Sequence, residues 1–519
     1  MTVERQVVRA LGSIGGATLV SRVLGFVRDM VVALAFGAGP ATDAFFVAFR
    51  IPNMLRRLLA EGALSTAVIP VFSEYATTRG PEDFRVMLRA VFAAALLALA
   101  VTAALGVVTA PLLLQVVAPG FAADPAQAGL AVFLTRVMFP YLLLVGLAAL
   151  AMGALQIHGR FFAAALGPAV LNLGMIAGVV VLSRQLEPPI LGLALGVLVG
   201  GAGQLAVQVP GLARCGVLVA PVGNLRHPAL IRIAKLLLPA VFGLAAVQVT
   251  VLINTVLASL LPAGSISFLY YADRVMEFPL GVFGIALASA SLPVMARQAA
   301  EGDTAGLGGT LNFSLRLALY VSVPATVGLV LLRTPITRVL FERGRFGADD
   351  TAATAHALLW YAVGLVGFAG ARIVAQAFYA VGAAGTAVRL GLVSVAANVV
   401  AALTLMAPLA HGGLALASSL GAYVNLVLLM VAARRRFGSL GGKALLASFG
   451  RTVLASVPLG LWCGVVLWRW PAAAPPATDA AWLALAVAGG ALVYWVASAF
   501  LAAPERRALA GTLPFGARR

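Results

Sequence analysis

Arg22, Arg28 and Asp29 interrupt one long apolar stretch. Asp43, Arg50, Arg56, Arg57 and Glu61 interrupt the next, and Asp273, Arg274 and Glu277 fall in a third near the middle of the chain. Inside hydrocarbon such a charge costs roughly 2.5–3.5 kcal/mol even on the lenient insertion scale, so it persists where it faces protein or a watery cavity. Some of these groups can pair along a helix, as Arg57 and Glu61 would at i,i+4. Pairing does not exhaust them: six arginines meet five acids, and one of those, Asp43, lies at the outer edge of its stretch. The surplus positive charge calls for an anion. A guanidinium binds phosphate oxygens through two parallel hydrogen bonds and does not deprotonate to escape burial, so a phosphate or diphosphate is the expected guest. Pro52 and Asn53 in the second stretch, with Pro279 and Gly281 in the third, would kink their helices and release backbone groups. Such interruptions are tolerated at membrane depth where they line a cavity.

Other chemistries find little support. Gly192, Gly196 and Gly200 recur every fourth residue inside an apolar run, a pattern of close helix packing and not of a nucleotide loop. Lys443 follows Gly441-Gly442 but precedes Ala444, so it completes no GxxxxGK[ST] phosphate loop. His158, His227, His356 and His411 are scattered, and Cys215 and Cys463 lie far apart without metal-ligand spacing. No catalytic group, metal site or cofactor is expected.

The elements that must position the charges follow from composition. The 519 residues are 62% hydrophobic and 10% charged, with a mean hydropathy of +1.02, against roughly 25% charge in a soluble domain. Apolar runs of roughly 20 residues, enough to cross a bilayer, recur from end to end and exclude a peripheral anchor on a soluble domain. The expected fold class is an all-α polytopic membrane protein with about 14 transmembrane helices. They are placed near 10–36, 41–73, 86–116, 128–156, 161–183, 189–213, 232–261, 266–296, 311–332, 335–341 with 352–381, 388–408, 412–433, 447–469 and 481–502. The first follows Arg5 and Arg9, but Arg22, Arg28 and Asp29 break its apolar core, so it reads as a retained helix and not a signal peptide.

A formal charge of +18 would suggest nucleic acid in a soluble protein; in a multi-span protein it belongs first to cytoplasmic loops. With the N-terminus inside, about 21 basic residues fall in cytoplasmic segments, Arg434-Arg435-Arg436 among them, and about 6 outside. Both termini are therefore expected in the cytoplasm. The loop holding Arg343 and Arg345 is an exception, exterior in this arrangement. An internal repeat is also visible: Ala48-Phe49-Arg50, then Ala63-Leu64 and Pro70-Val71, returns as Ala272-Asp273-Arg274, then Ala286-Leu287 and Pro293-Val294, at an offset of about 224. Six spans separate the copies, so they share one membrane orientation. This divides the chain into an N-terminal lobe 1–228, a C-terminal lobe 229–440 and a segment 441–519, giving two six-helix lobes around a central cavity plus two C-terminal helices.

The run Ser21-Arg22-Val23-Leu24-Gly25-Phe26-Val27-Arg28-Asp29 is followed by Phe36-Gly37-Ala38-Gly39, Thr42-Asp43-Ala44-Phe45, Arg50-Ile51-Pro52-Asn53-Met54-Leu55-Arg56-Arg57 and Ala60-Glu61-Gly62-Ala63. Together with Tyr270-Tyr271-Ala272-Asp273-Arg274-Val275-Met276-Glu277-Phe278-Pro279, it resembles the MurJ family, also called MviN. The resemblance implies a flippase that carries lipid II, the undecaprenyl-diphosphate-linked peptidoglycan precursor, across the bacterial inner membrane by alternating access. It implies the fold shared by multidrug and oligosaccharidyl-lipid exporters, with two further helices lining a lipid-facing groove. By that resemblance Arg28, Arg56 and Arg274 would bind the diphosphate. Arg22, Arg50, Asn53 and Ser21 are expected beside them, and Asp29, Asp43, Glu61, Arg57 and Asp273 in gating or ion-pair roles. Where some members are thought to use a cation site among helices seven, eleven and twelve, this chain offers Asn254, Asn398 and Ser418 but no carboxylate, which argues against sodium coupling.

The partners implied are lipid II and membrane lipids, with the peptidoglycan-synthesis machinery a candidate and nucleic acid excluded. A flippase for another polyprenyl-diphosphate-linked oligosaccharide would read the same arginines. A polytopic polyprenyl-phosphate enzyme or glycosyltransferase would add acid/base carboxylates or a metal-binding acidic pair at a membrane surface, for which the sequence offers no clear candidate. An assembly scaffold would leave the surplus arginine unexplained.

Overall fold

The computed structural model describes residues 3–57, 64–160, 166–471, 475–501 and 503–510. Every regular element among them is a helix, as expected where hydrocarbon offers no water to satisfy backbone N–H and C=O groups. The chain is an all-α, multi-pass membrane protein. Among the described residues nine helices are long and apolar enough to cross a bilayer, and the bent pair Ala348–Val363 and Leu365–Ala380, at 43°, makes a tenth if counted as one span. Helices also fall on the remaining expected segments, including Val3–Phe36, Pro40–Arg56 and Ser265–Pro279, which carry the charge cluster.

One boundary differs from expectation. Residues 335–341 close the long helix Thr304–Phe341 instead of opening the tenth segment, and Pro335 lies inside that helix without ending it. Side-chain donors support the backbone around the proline: the Thr337 hydroxyl donates to the Arg333 carbonyl at 2.8 Å, and an Arg333 guanidinium nitrogen donates to the Val330 carbonyl at 2.6 Å.

By packing, the chain forms two compact units, Met1–Ser267 with Arg343–Phe346, and Phe268–Glu342 with Gly347–Arg519. The Pro228–Ser259 helix packs in the first unit, against Leu64–Thr78 and Gly80–Val108. The repeat would assign it to the second lobe; one grouping follows contacts and the other follows the repeated segment.

In the first unit Phe72, Phe84, Met87, Leu88 and Leu155 are buried together where Leu64–Thr78, Gly80–Val108 and Tyr141–Ile157 meet. Gly167–Val180 and Leu191–Ala206 approach backbone to backbone: a Cβ on Gly174 would lie 2.4 Å from Gly200 Cα, and one on Gly178 would lie 2.7 Å from Gly196 Cα. The four-residue glycine spacing is therefore helix packing. The Arg343–Phe346 segment is anchored on the first helix, where the Arg345 amide donates to the Leu34 carbonyl at 3.0 Å. That oxygen is in the last turn, where carbonyls lack intrahelical partners. Gly344 makes the approach feasible: its φ is +63°, and a Cβ there would sit 2.3 Å from the same oxygen. The two exposed arginines thus flank a fixed segment.

In the second unit Met295, Leu311, Ile373, Phe378 and Leu429 share one core. The last two long helices, Gly442–Arg469 and Pro476–Phe500, pack on Thr304–Phe341 around Tyr320, Leu459, Cys463 and Tyr494. Two hydroxyls lock them: Tyr494 donates to the Tyr320 carbonyl at 2.6 Å, and the Tyr320 hydroxyl bonds Ser498 Oγ at 2.8 Å.

Replacing Gly200 with leucine is expected to lower the yield of folded, monodisperse protein several-fold, because the added side chain meets the Leu171 backbone within 3.0 Å. Gly464→Ala, where a Cβ meets nothing within 4 Å, should be neutral. Size-exclusion chromatography of the two variants in detergent checks this, and equal recovery would remove the glycine contact as a requirement.

Candidate functional site

Arg28 and Asp29, 7% and 2% exposed, are sequestered inside the first unit. Arg28 Nε and Nη2 both donate to Asp29 Oδ1, at 3.0 and 2.6 Å, so the pair shares one oxygen and is not the parallel two-oxygen fork. Arg28 Nη1 donates to Asn172 Oδ1 at 3.0 Å. The Asn172 amide nitrogen in turn donates to the Ser21 carbonyl at 3.1 Å. Asn172, on the Gly167–Val180 helix, thereby ties two turns of the first helix to itself. Gly25 lies between them, where a Cβ would stand 3.4 Å from the Asn172 amide nitrogen. Arg22 is exposed on the same helix and Ser21 is half-buried.

The Pro40–Arg56 helix holds the next set. Asp43 is 2% exposed and acts through hydrogen bonds to the start of the Ser265–Pro279 helix. Its Oδ2 accepts from the Gly264 amide at 2.6 Å, and its Oδ1 accepts from the Ser267 amide at 2.8 Å and the Ser267 hydroxyl at 2.6 Å. A carboxylate there satisfies orphan helix N–H groups and meets the positive end of the helix dipole. Arg50 reaches the Pro228–Ser259 helix, donating to Thr255 Oγ1 and, at 3.5 Å, to the Val251 carbonyl. Beyond the buried Pro52, Arg56 Nε donates to Asn53 Oδ1 at 3.0 Å one turn earlier and the guanidinium stays half-buried. Arg57 is exposed in a π-type turn, and Glu61 lies outside the described residues.

In the second unit the group is built on one helix face. Arg274 Nη1 donates to Glu277 Oε2 at 2.9 Å and Nη2 to the Tyr270 hydroxyl at 3.3 Å, with the guanidinium carbon 5.2 Å from the Tyr270 ring centroid. The ring face and hydroxyl together orient the cation, whose side chain remains 32% exposed. Asp273 is half-buried beside it. After Pro279 the chain adopts a π-helical turn, Leu280–Ile285, before continuing as Ala286–Ala300; such turns recur at functional positions in helices. Asn398 and Ser418 are hydrogen-bond neighbours at 3.5 Å in this unit, while Asn254 belongs to the first.

Sequence reasoning passed over three participants. Asn172 gave no signal because one amide in an apolar run looks incidental until the helix opposite is known. Tyr270 sat within the matched motif but carried no charge. Arg372, on the Leu365–Ala380 helix and within electrostatic reach of Glu277, is another arginine inside an apolar span, and the criterion used for the others would have found it.

A family model described as "Lipid II flippase MurJ" matches residues 32–471. The lipid II flippase MurJ of Burkholderia cenocepacia is 37% identical over 432 residues, covering 82% of this chain and 84% of that protein. The probable lipid II flippase MurJ of Vibrio cholerae is 36% identical over 436 residues, covering 83% of each. Among solved structures, a lipid II flippase MurJ in an inward closed conformation superposes with a TM-score of 0.79 at 23% identity, covering 94% of this chain and 98% of that one. An inward-facing multidrug resistance MATE transporter of the MOP superfamily gives 0.65 at 17% identity, covering 81% and 96%. These two structures show the fold.

Asn172→Ala removes a partner from the buried Arg28 and another from the half-buried Ser21 carbonyl. A cost of about 1–3 kcal/mol is expected, read as a thermal midpoint lowered by several degrees in detergent. An unchanged midpoint would mean that the bridge does not hold the first helix.

Proposed function

The chain belongs to the lipid II flippase MurJ family, and from that premise we propose that it carries lipid II from the cytoplasmic to the outer leaflet of the bacterial inner membrane by alternating access. The observation that supports this reading best is the state of Arg56 and Arg274. Each is a permanent cation on a helix made largely of apolar residues, each is oriented by a neighbour within one turn, and each keeps its guanidinium partly open. A diphosphate supplies the charge and the paired oxygens such groups are shaped to accept. Arg28 completes the set once its bonds to Asp29 and Asn172 rearrange, with Arg22, Arg50, Asn53 and Ser21 nearby in sequence. Asp43, Asp29, Glu61, Arg57 and Asp273 belong to the gating side, where Asp43 holds a helix start and Asp29 neutralises Arg28.

No covalent bond changes in this cycle. The arginines stabilise charge that the substrate already has, which is binding and not catalysis. Membrane lipids surround the protein, and the enzymes that supply and consume lipid II are the natural partners. Both termini lie in the cytoplasm in this reading, and the repeat-based lobes 1–228 and 229–440 are the bodies that move, with 441–519 added to the second.

Arg56→Ala and Arg274→Ala are expected to abolish complementation of a depleted strain at normal protein abundance, and the Arg→Lys forms to impair it, since a point charge lacks the fork geometry. Arg28→Ala should lose both function and abundance, because it takes two hydrogen bonds from the buried Asp29 carboxylate. Adding Asp29→Asn should then restore abundance without function. Immunoblots alongside growth assays separate these outcomes, and growth supported by all three alanine variants would sink the assignment.

Orientation has its own test. In a background lacking Cys215 and Cys463, single cysteines at Ala38 and Gly442 should react with an impermeant thiol reagent from opposite sides of the membrane. Labelling from one side would overturn the topology.

A further inference from the structure

Two of the histidines that are scattered in the sequence meet in the second unit. His356, on Ala348–Val363, and His411, the first residue of His411–Phe437, lie with ring centroids 5.6 Å apart, and both are half-buried. Gly412 permits the approach: a Cβ there would lie 2.9 Å from His356 Nε2 and 2.9 Å from Trp360 Cδ1. Just before His411 stands Ala410, the non-glycine residue with a positive φ among the described residues, at +47°. An L side chain is strained there, so the turn is held by what surrounds it. The transport reading leaves these residues without a role.

Hydrogen bonding fixes the hydrogen on each ring. An indole N–H only donates, and Trp360 Nε1 donates to His356 Nε2 at 2.9 Å, so that nitrogen presents a lone pair. A carbonyl only accepts, and the Ala353 carbonyl lies 2.9 Å from His411 Nε2, so that nitrogen carries its hydrogen. The two rings therefore answer a proton differently. Adding one to His411, at Nδ1, leaves the Ala353 bond in place. Adding one to His356, at Nε2, points a donor at another donor and removes the Trp360 bond.

The surroundings offer the new cation no ready partner. The His356 helix packs on Thr304–Phe341, His411–Phe437 and Leu365–Ala380. The first brings Arg333, which donates to the Val330 carbonyl, and Arg338, which pairs with Glu342 at 3.8 Å. The second brings His411 and, three turns on, Tyr423, whose hydroxyl donates to the Val363 carbonyl at 2.8 Å. Arg372 and Tyr379 of the third lie beyond the bend at Gly364. On the helix itself Asp350 accepts from the Gly347 amide at 3.2 Å, and Asp349 is exposed at the helix start, seven residues before His356.

We propose that His356 and Trp360 form an acid-sensitive clasp between Ala348–Val363 and His411–Phe437. Protonation of His356 Nε2 opens it and frees the strained turn that carries His411. Phe268 packs on the His411 ring, centroids 5.3 Å apart, near the start of the helix that carries Arg274 six residues later. Opening therefore loosens that helix start. In the proposed orientation these ends face the exterior, so the clasp answers the pH outside; its chemistry rests on neither that orientation nor the flippase reading.

Fluorine NMR of the purified full chain labelled with 5-fluorotryptophan tests the proposal. The Trp360 resonance, identified as the one absent from Trp360→Phe, should move between about pH 8 and about pH 5, where imidazoles change charge. The Trp462 resonance should stay, because that indole donates to the Leu485 carbonyl. His356→Gln offers the indole an acceptor that does not titrate and should abolish the movement, whereas His411→Gln should keep it. Hydrogen exchange over residues 265–272, corrected for its intrinsic pH dependence, should rise several-fold on acidification in wild type and stay level in His356→Gln. A stationary Trp360 resonance in wild type, movement that survives His356→Gln, or level exchange in wild type overturns the clasp.

Discussion

Within a bilayer a polar group cannot fall back on water, and much of this structure is a set of answers to that constraint. Hydroxyls inside helices bond back to carbonyls one turn earlier, as Thr135 does to Ala131 at 2.6 Å and Ser322 to Ala318 at 2.7 Å. Asp43 is held by three donors at a helix start. Asn172 uses its carbonyl oxygen on one turn of the first helix and its nitrogen on another. The helices are joined by these bonds at the places where side chains are least apolar, and by glycine-to-glycine contact where they are most apolar.

The same constraint sorts the arginines. Arg28 is enclosed and bonded to Asp29, Asn172 and, at 3.9 Å, the Met175 sulfur; Arg56 is half-buried beside Asn53, and the Arg274 side chain is 32% exposed beside Glu277 and Tyr270. The Asn172 bonds to Arg28 and to the Ser21 carbonyl tie the Arg28 guanidinium to the packing of the first helix on Gly167–Val180.

How much of this could be read in advance depended on range. A charge in an apolar run is visible within a few residues, so Arg28, Arg56 and Arg274 stood out, and so did the helical segments. What Asp43 does was not legible, because its partners lie 221 and 224 positions away; nor was the role of Asn172, 144 positions from Arg28. Pro335 misled for a related reason. Proline is a strong local stop signal, yet the helix Thr304–Phe341 runs through it. The Arg343 and Arg345 loop, an exception by charge counting, has its backbone anchored on the Leu34 carbonyl of the first helix, a contact 311 positions away that no local pattern announces.

Transport adds a requirement that simple recognition lacks, since the ligand must leave as readily as it enters. Glu277 is the side chain in the structure that bears on this most directly. It occupies one guanidinium nitrogen of Arg274 at 2.9 Å while itself remaining substantially exposed. In the proposed cycle an arriving diphosphate would exchange one anionic partner of Arg274 for another, so the net gain would be the difference between two ion pairs and not the full value of one. The same carboxylate would reclaim the guanidinium when the headgroup departs, and the Tyr270 ring and hydroxyl hold the cation from a second side. Removing Glu277 would therefore strengthen binding and slow release, the opposite of what loss of a substrate contact would do.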